Sequence, residues 1–244
     1  MDEHSIQDTE NVSAPPKQKV GLVRIGLALS IVQITIYVGW VASANVLLPV
    51  QIIAAVGEDN KESWLGIITS LGAFVGMILS PFIGRWSDRT RSKLGKRAPW
   101  MLAGAAVLAV GYALMGAITN SISLMVASCL TQAGLTAMIM AANTVLPERV
   151  PLKRRGLLSG VTALATTSAT LTASFIGAAF VPNPMLGLMV LGTIVIVGAI
   201  MFVLIAPMAP STGEEDTKTR EDKFKFAEFF AAFKARNFRW VWIG

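Results

Sequence analysis

The side chains best placed to do chemistry are charged groups crowded between long apolar runs. Residues 84–99 read GRWSDRTRSKLGKRAP and hold six Lys or Arg side chains but a single acid, Asp88. A lone carboxylate among cations is expected to pair locally or to cap a helix N-terminus. A second basic group, PERVPLKRRG at residues 147–156, adds Glu148 and Arg155 as ion-pair partners. The pattern predicts an ion-pair network that links two loops.

Catalytic groups are scarce in this chain. The only histidine, His4, lies in a polar tail, and the only cysteine, Cys129, lies within an apolar run. No Asp, Glu, Lys, Arg or His occurs in the interior of the apolar runs, so a nucleophile, a base and an orienting group cannot be assembled there. Metal-ligand spacings and glycine-rich phosphate loops are also missing from the sequence. We predict that the protein is not an enzyme, binds no metal and needs no cofactor.

Polar side chains inside the first apolar run form one candidate substrate site. Gln33, Tyr37 and Trp40 recur at i, i+4 and i+7 and therefore share a helix face. The two aromatic rings can stack on a sugar ring while the amide bonds its hydroxyl groups. We predict a substrate-binding face here, although Trp40 also fits an anchor at the membrane interface.

A second polar stripe with the same predicted role lies in the fourth apolar run. It consists of Gln132, Thr136 and Asn143. The alternative for both stripes is that the amides form interhelical hydrogen bonds that hold a bundle together. That alternative stays open for the first amide of each stripe, and it is favoured for Asn143 and for Asn45, which lies further along the first run.

The composition indicates a membrane protein. Hydrophobic residues make up 53% of the chain, charged residues only 15%, and the mean hydropathy is +0.59. Soluble domains carry about 25% charged residues, and a soluble fold could not bury this much apolar surface. The net charge of +6 lies in segments beside apolar runs, where membrane topology and anionic lipid explain it better than nucleic acid does.

Six apolar runs are long enough to span a membrane as helices. About 20 residues, at ~1.5 Å per residue, cross a hydrocarbon core about 30 Å thick. The fold class is therefore predicted to be all-α, an integral membrane bundle of six spans. The predicted spans are Gly26–Ala55, Trp64–Ile83, Pro99–Ile118, Ile122–Val145, Leu157–Phe180 and Met185–Ala206.

The positive charges indicate which side of the membrane each loop faces. Twenty of the 21 Lys and Arg residues fall before the first span, in residues 84–99, in residues 147–156 or after Pro207, whereas Lys61 lies in a loop on the other side. Loops rich in cations stay in the cytoplasm. We predict a multi-pass protein of the plasma membrane with a cytoplasmic N-terminus and an even number of spans.

The predicted domains follow this division. Residues 1–24 are a disordered cytoplasmic tail, and residues 25–206 form the six-span domain. Residues 207–237 form a cytoplasmic linker, within which phenylalanines at i, i+3, i+4 and i+7 predict an amphipathic helix lying in the membrane interface. Residues 238–244 read as the start of a seventh span that is cut short. The phenylalanines are Phe226, Phe229, Phe230 and Phe233.

The first basic loop resembles a signature of the major facilitator superfamily, GxxxD(R/K)xG(R/K)(R/K), which lies between that family's second and third spans. The sequence departs from it by a longer insert at residues 90–94, where the common form has one residue. The fuller string SDRTRSKLGKRAPW is similar to the variant in glycoside–pentoside–hexuronide and sucrose-type transporters. The matching residues are Gly84, Asp88, Arg89, Gly95, Lys96 and Arg97.

The second basic loop resembles ExxPxxxRG, a pattern between the fourth and fifth spans of sugar porters, at Glu148, Pro151, Arg155 and Gly156. Together the two motifs, the spans and the linker make the chain similar to the N-terminal half of a twelve-span transporter. The resemblance implies two inverted three-helix repeats. It also implies that this half inserts in the membrane but does not transport alone, because the substrate site is shared with a second, C-terminal half.

The resemblance further implies that the two loops form a conformational gate. Ion pairs that form when the cytoplasmic side closes and break when it opens bias alternating access. The glycines Gly84 and Gly95 permit tight turns and close helix approach. The alternative is that the cations only set topology and bind anionic lipid. The expected gate residues are Gly84, Asp88, Arg89, Gly95, Lys96, Arg97, Glu148, Arg155 and Gly156.

The predicted function is transport of a small organic solute, with a saccharide as the first choice. A drug or metabolite exporter of the same superfamily and a non-transporting membrane scaffold remain as alternatives. The expected partners are the substrate, membrane lipid and the C-terminal half of the transporter. Coupling to H+ or Na+ has no identifiable site: coupling groups in the other half, neutral oxygens as ligands and facilitated transport all stay open.

Overall fold

The fold contains six apolar spans, as predicted. The computed structural model describes residues 21–117 and 120–207, which contain six helical segments long and apolar enough to cross a membrane. The segments are α1 (Leu22–Ala42) with α2 (Leu48–Val56), α3 (Lys61–Arg89), α4 (Ala98–Ala117), α5 (Ser121–Arg149), α6 (Leu152–Ala179) and α7 (Pro184–Ile205).

Most of the predicted terminal segments lie outside the described residues. These are residues 1–20 of the predicted tail, the amphipathic helix of the linker and the start of a seventh span. The last residues assigned to the tail are already helical, because α1 begins at Leu22.

The first span is predicted as one run, Gly26–Ala55, but the structure divides it. A π-helical segment, Ser43–Leu47, separates α1 from α2. Pro49 lies in the first turn of α2, and proline has no N–H to donate to the carbonyl four residues earlier, at Asn45. The helix therefore widens just before the proline, and π-turns of this kind are often found at functional sites.

Several helices extend beyond the predicted spans into charged sequence. The helix α3 ends at Arg89, α5 ends at Arg149, and α6 begins at Leu152, whereas the predicted spans stop or start several residues nearer the membrane centre. Hydropathy marks only the part of a helix that lies in hydrocarbon, and a helix continues into water when its residues permit it. The charged loops are consequently shorter than predicted, and their side chains are carried on helix ends.

The packing of the spans repeats with a twofold pattern. The most extensive contacts join α4 with α5, α1 with α6, α4 with α7, α3 with α5, and α1 with α7. Exchanging the first span with the fourth, the second with the fifth and the third with the sixth maps these contacts onto themselves. Successive spans cross in opposite directions, so spans three apart run antiparallel. The bundle has the symmetry of two inverted three-helix repeats.

Glycines set the distances between the helices that surround the candidate site. A Cβ at Gly134 of α5 would lie 2.5 Å from the backbone nitrogen of Leu108 in α4, so the two backbones touch only because the side chain is absent. On the other side of α5, Gly72 of α3 faces the side chain of Gln132, 3.6 Å from where a Cβ would lie. The helix α5 is thus held close between α3 and α4.

Candidate functional site

A buried arginine joins three parts of the bundle at one end. The Arg97 side chain is only 7% exposed, and its Nη2 lies 2.6 Å from Asp88 Oδ1 near the end of α3. The same guanidinium bonds Glu148 Oε1 near the end of α5 through Nη2 and through Nε, the latter at 3.2 Å. Its Nη1 donates to Ser87 Oγ at 3.0 Å. We call Ser87, Asp88, Arg97 and Glu148 the Arg97 cluster.

Electrostatics keep this arginine charged. Burial disfavours the charged guanidinium and lowers the pKa of Arg97, but the hydrogen bond and charge of Glu148, together with Asp88, outweigh burial and raise the pKa above its ordinary value. The carboxylates are 60% exposed at Asp88 and 46% at Glu148. Solvent therefore reaches the acids, and their pairs with Arg97 can break without leaving a buried negative charge.

The prediction that Asp88 pairs locally is confirmed, whereas Arg155 does not extend the cluster. Arg155 donates from Nε to the Val150 carbonyl at 2.9 Å and from Nη2 to the Pro147 carbonyl at 2.6 Å. The short turn between α5 and α6 leaves these carbonyls without helical partners, and the guanidinium satisfies them. Arg155 holds the turn in this structure, and its part in a gate stays a prediction.

Of the two turns predicted at glycines, the structure contains the one at Gly95 and not the one at Gly84. Gly95 has φ +89°, which side chains other than hydrogen rarely permit, and it makes the turn that leads into α4. Gly84 lies inside α3, and a Cβ there would meet nothing within 4 Å. The prediction of a turn at Gly84 is wrong, because α3 continues through it. Close helix approach at Gly84 stays a prediction, since no part of the described bundle packs there. Gly156 likewise lies inside α6 with open space around it.

The remaining predicted gate residues flank the Arg97 cluster in the chain. Arg89 is the last residue of α3, and Lys96 lies between the Gly95 turn and Arg97. Their roles stay predictions.

Two features at this end were not predicted from the sequence. Trp86 stacks on Trp100 with ring centroids 6.2 Å apart, and the Trp100 indole N–H donates to Thr90 Oγ1 at 2.7 Å. Arg149 donates to the carbonyls of residues 206 and 207, both at 3.1 Å, and so ties α5 to the end of α7. The stacked pair could have been predicted, since a tryptophan lies near each end of the basic loop. The bonds of Arg149 could not, because every residue has a backbone carbonyl.

A cavity of about 260 Å³ lies between the first span, α3, α4 and α5. We call it the inner cavity. It brings together Trp40 and Gln132, which were predicted on separate stripes, and adds Asn45 from the π-helical segment. Its wall also includes Ser43, Thr69, Tyr112, Ser128 and Thr131, with apolar side chains such as Leu108 and Leu135 between them.

The amides in this wall are unpaired, which distinguishes them from structural amides. Within residues 21–117 and 120–207, the side chains of Asn45 and Gln132 make no hydrogen bond, and neither does the Trp40 indole N–H. Trp40 is 39% exposed. Interhelical bonding was the favoured alternative for Asn45 and an open one for Gln132, but in the described bundle neither amide bonds another helix. Both are available to a bound solute.

The other predicted substrate residues lie elsewhere. Gln33 Nε2 donates to Asn143 Oδ1 at 3.4 Å, the interhelical bond that the alternative describes. Tyr37 packs edge-on against Trp40 with ring centroids 5.9 Å apart. Thr136 bonds the backbone carbonyl of Gln132. The inner cavity reaches none of Gln33, Tyr37, Thr136 and Asn143, and substrate contact by these four stays a prediction.

A buried hydroxyl pair supports the wall of the inner cavity. Ser43 Oγ and the Tyr112 hydroxyl are 3.2 Å apart and hydrogen-bonded, and Ser43 Oγ also donates to the Trp40 carbonyl at 3.0 Å. Tyr112 is fully buried in α4. The pair ties the first turn of the π-helical segment to α4 and fixes the backbone next to Trp40.

Comparison with known proteins establishes the family. A model of the major facilitator superfamily matches residues 25–244, from the first turn of the first span onward. The chain belongs to the major facilitator superfamily. This is a family of membrane transporters and not of enzymes.

Curated relatives include sucrose transport proteins of plants. The chain is similar to sucrose transport protein SUC4 of Arabidopsis thaliana, with 30% identity over 112 residues, which cover 46% of this chain and 21% of the relative. It is also similar to sucrose transport protein SUT4 of Oryza sativa subsp. indica, with 28% identity over 109 residues, which cover 45% of this chain and 18% of the relative. The matched segments thus span about a fifth of each relative.

Proposed function

We propose that this six-span bundle is part of a transporter that moves a saccharide across the membrane by alternating access. The family supports transport of a small molecule, and the names of the relatives support a sugar. The observation that carries the proposal is the inner cavity, in which the unpaired amides of Asn45 and Gln132 lie with the Trp40 indole. Amides bond sugar hydroxyl groups in either direction, as donors or acceptors, and an indole offers a flat apolar face.

The size of the inner cavity fits a shared site. Its volume of about 260 Å³ is just below the roughly 300–1,000 Å³ of complete ligand sites. In this superfamily's architecture the substrate lies between two repeats near the membrane centre. We propose that a second, C-terminal six-span half completes the site, and that it covers the apolar surfaces of α3 and α6 together with lipid. These surfaces include Met77 and Phe175, which are 65% and 79% exposed.

The Arg97 cluster is the proposed gate of this cycle. It joins the end of α3, the loop before α4 and the end of α5 through one guanidinium. Bonds of this kind stabilise the conformation in which they form and are lost in the other. The distribution of cations supports a cytoplasmic position for this end and for the N-terminus. We propose the plasma membrane as the location of the protein.

The proposal is tested by uptake of radiolabelled sucrose, and of a panel of smaller sugars, into vesicles that carry the full-length protein. We expect saturable uptake that Gln132→Leu lowers at least about tenfold, since losing one or two amide hydrogen bonds removes about 1.4 kcal/mol or more. Thr193→Val is the matched control, because the Thr193 hydroxyl bonds only the Met189 carbonyl of its own helix.

Each outcome of the uptake experiment discriminates. Saturable uptake that falls with Gln132→Leu and persists with Thr193→Val supports a saccharide in the inner cavity. Uptake that both variants leave unchanged would remove the substrate from this cavity. If no sugar is taken up by protein shown to be inserted, the exporter interpretation replaces the saccharide.

A further inference from the structure

A second cavity lies next to the inner one, toward the end of α3 that carries Lys61. It has a volume of about 670 Å³, and we call it the outer cavity. One wall comes from the π-helical segment and α2, and the other from the first two turns of α3 and Thr69. Its lining residues outside the π-helical segment include Ile53, Lys61, Glu62 and Leu65.

The two cavities have three lining residues in common: Ala44, Asn45 and Thr69. Ala44 and Asn45 belong to the π-helical segment, and Thr69 lies on the facing side of α3. Residues that line both cavities must lie at the boundary between them. We propose that the outer and inner cavities form one access path from the Lys61 end, and that Asn45 and Thr69 form its neck.

The chemistry of the neck suits a neutral, hydroxylated solute. The Asn45 amide is unpaired in the described bundle and offers both a donor and an acceptor. The Thr69 hydroxyl donates to the Leu65 carbonyl at 2.7 Å, so its oxygen remains an acceptor. Among the described residues, no charged side chain lines the inner cavity. At the mouth, Lys61 forms an ion pair with Glu58, three residues away.

The π-helical segment explains why the neck lies at this level. The wider turn adds a residue to the helix and rotates the residues after it, which changes the face they present. Pro49 enforces this irregularity because it has no N–H to donate to the Asn45 carbonyl. Irregular backbone at membrane depth is tolerated where it lines a cavity. The segment thereby lines both cavities. Its first residue, Ser43, is hydrogen-bonded to Tyr112 of α4.

The path rests on the geometry, and only the identity of the solute rests on the proposed function. The test therefore reads accessibility and not uptake. In the full-length protein with its native cysteines replaced (Cys129→Ser in this chain), single cysteines are placed in the inner cavity (Gln132→Cys) and in the outer cavity (Glu62→Cys). Their labelling rates are measured in vesicles with a membrane-impermeant trimethylammonium-ethyl methanethiosulfonate that reaches only the Lys61 side.

We expect a bulky side chain at the neck to block the inner position alone. Thr69→Trp should slow labelling of Gln132→Cys at least about tenfold, equivalent to about 1.4 kcal/mol of activation free energy, and leave labelling of Glu62→Cys unchanged. Asn45→Phe, from the opposite wall, should act in the same way and serves if Thr69→Trp does not fold. Ile67→Trp is the matched control, since Ile67 lines neither cavity and is 51% exposed.

The proposal is overturned if Gln132→Cys is labelled equally fast with either neck variant, or if Ile67→Trp slows it as much. It is also overturned if Gln132→Cys is not labelled from the Lys61 side at all. If labelling is as expected but the full-length protein with Gln132 intact takes up no sugar, the proposed function is contradicted and the access path stays in place.

Discussion

The two ends of the bundle hold α3 and α5 in different ways. At the Arg97 end, one buried guanidinium bonds acids on both helices. At the Lys61 end, the ion pair formed by Lys61 joins residues only three apart, Glu58 and Lys61, and so ties no two spans together. Two cavities occupy that end and the middle of the bundle. One end is thus held together by charge, and the cavities lie toward the other.

The difference shows how a bundle of nearly uncharged spans can favour one conformation. Helix contacts in a membrane are made by packing and by small residues, which act along the whole length of α3, α4 and α5. Ion pairs at one end stabilise only one conformation, because they form only when three chain segments lie within bonding distance. We expect the strength of the Arg97 cluster to decide how much of the protein opens toward the Lys61 end.

The largest expected effect comes from removing the guanidinium. Arg97→Ala deletes the side chain shared by Ser87, Asp88 and Glu148, and hydrogen bonds to charged groups are worth about 1.5–3 kcal/mol. We expect solute uptake by the full-length protein to fall more than about tenfold. Lys93→Ala, an exposed cation of the same loop, is the control. Equal effects of the two substitutions would show that the loop cations set topology alone.

A smaller effect separates the two acids of the cluster. Glu148 accepts from both Nε and Nη2 of Arg97, whereas Asp88 pairs with Nη2 and is more exposed. Exposed pairs are worth about 0.2–1 kcal/mol, so Asp88→Asn should change uptake by no more than about fivefold, and Glu148→Gln by more. Uptake by the two variants is measured at low and at high salt, because salt screens exposed ion pairs. The reverse order would contradict the geometry of the cluster.

The smallest expected effect concerns the turn that delivers Arg97 to the cluster. Gly95→Ala forces a side chain into positive φ and should cost about 1 kcal/mol. Gly84→Ala is the matched control from the same motif, since it lies in open helix, where alanine is favoured over glycine by up to about 1 kcal/mol. Thermal unfolding midpoints in detergent compare the two. Equal destabilisation would mean that Gly84 is in a constrained environment.

The sequence was sufficient for features that depend on composition and local pattern. Six spans follow from the length of apolar runs, because a bilayer requires that length of helix. The pairing of Asp88 with a cation of its own loop follows from the excess of cations around it. The predicted helix ends were less accurate, since hydropathy does not report where a charged segment such as residues 84–89 stops being helical.

The candidate site shows where pattern reasoning stops. Helix periodicity placed Gln33, Tyr37 and Trp40 on one face, but a shared face does not say which neighbour each residue meets. Gln33 meets Asn143 on α5, and Trp40 meets the inner cavity with Gln132. The π-helical segment also shifts Asn45 relative to an ideal helix, so a regular 3.6-residue period misplaces it.

Local sequence alone determined the membrane class, the span count, the basic loops and the residues that carry charge, because each depends on the solvation of short segments. The tertiary structure decided which cation is shared by two acids, which amides bond each other and which stay open to a cavity. Those outcomes depend on the distances between helices far apart in the chain. Close approaches such as that of Gly134 to Leu108 set these distances, and the pattern of any single helix does not contain them.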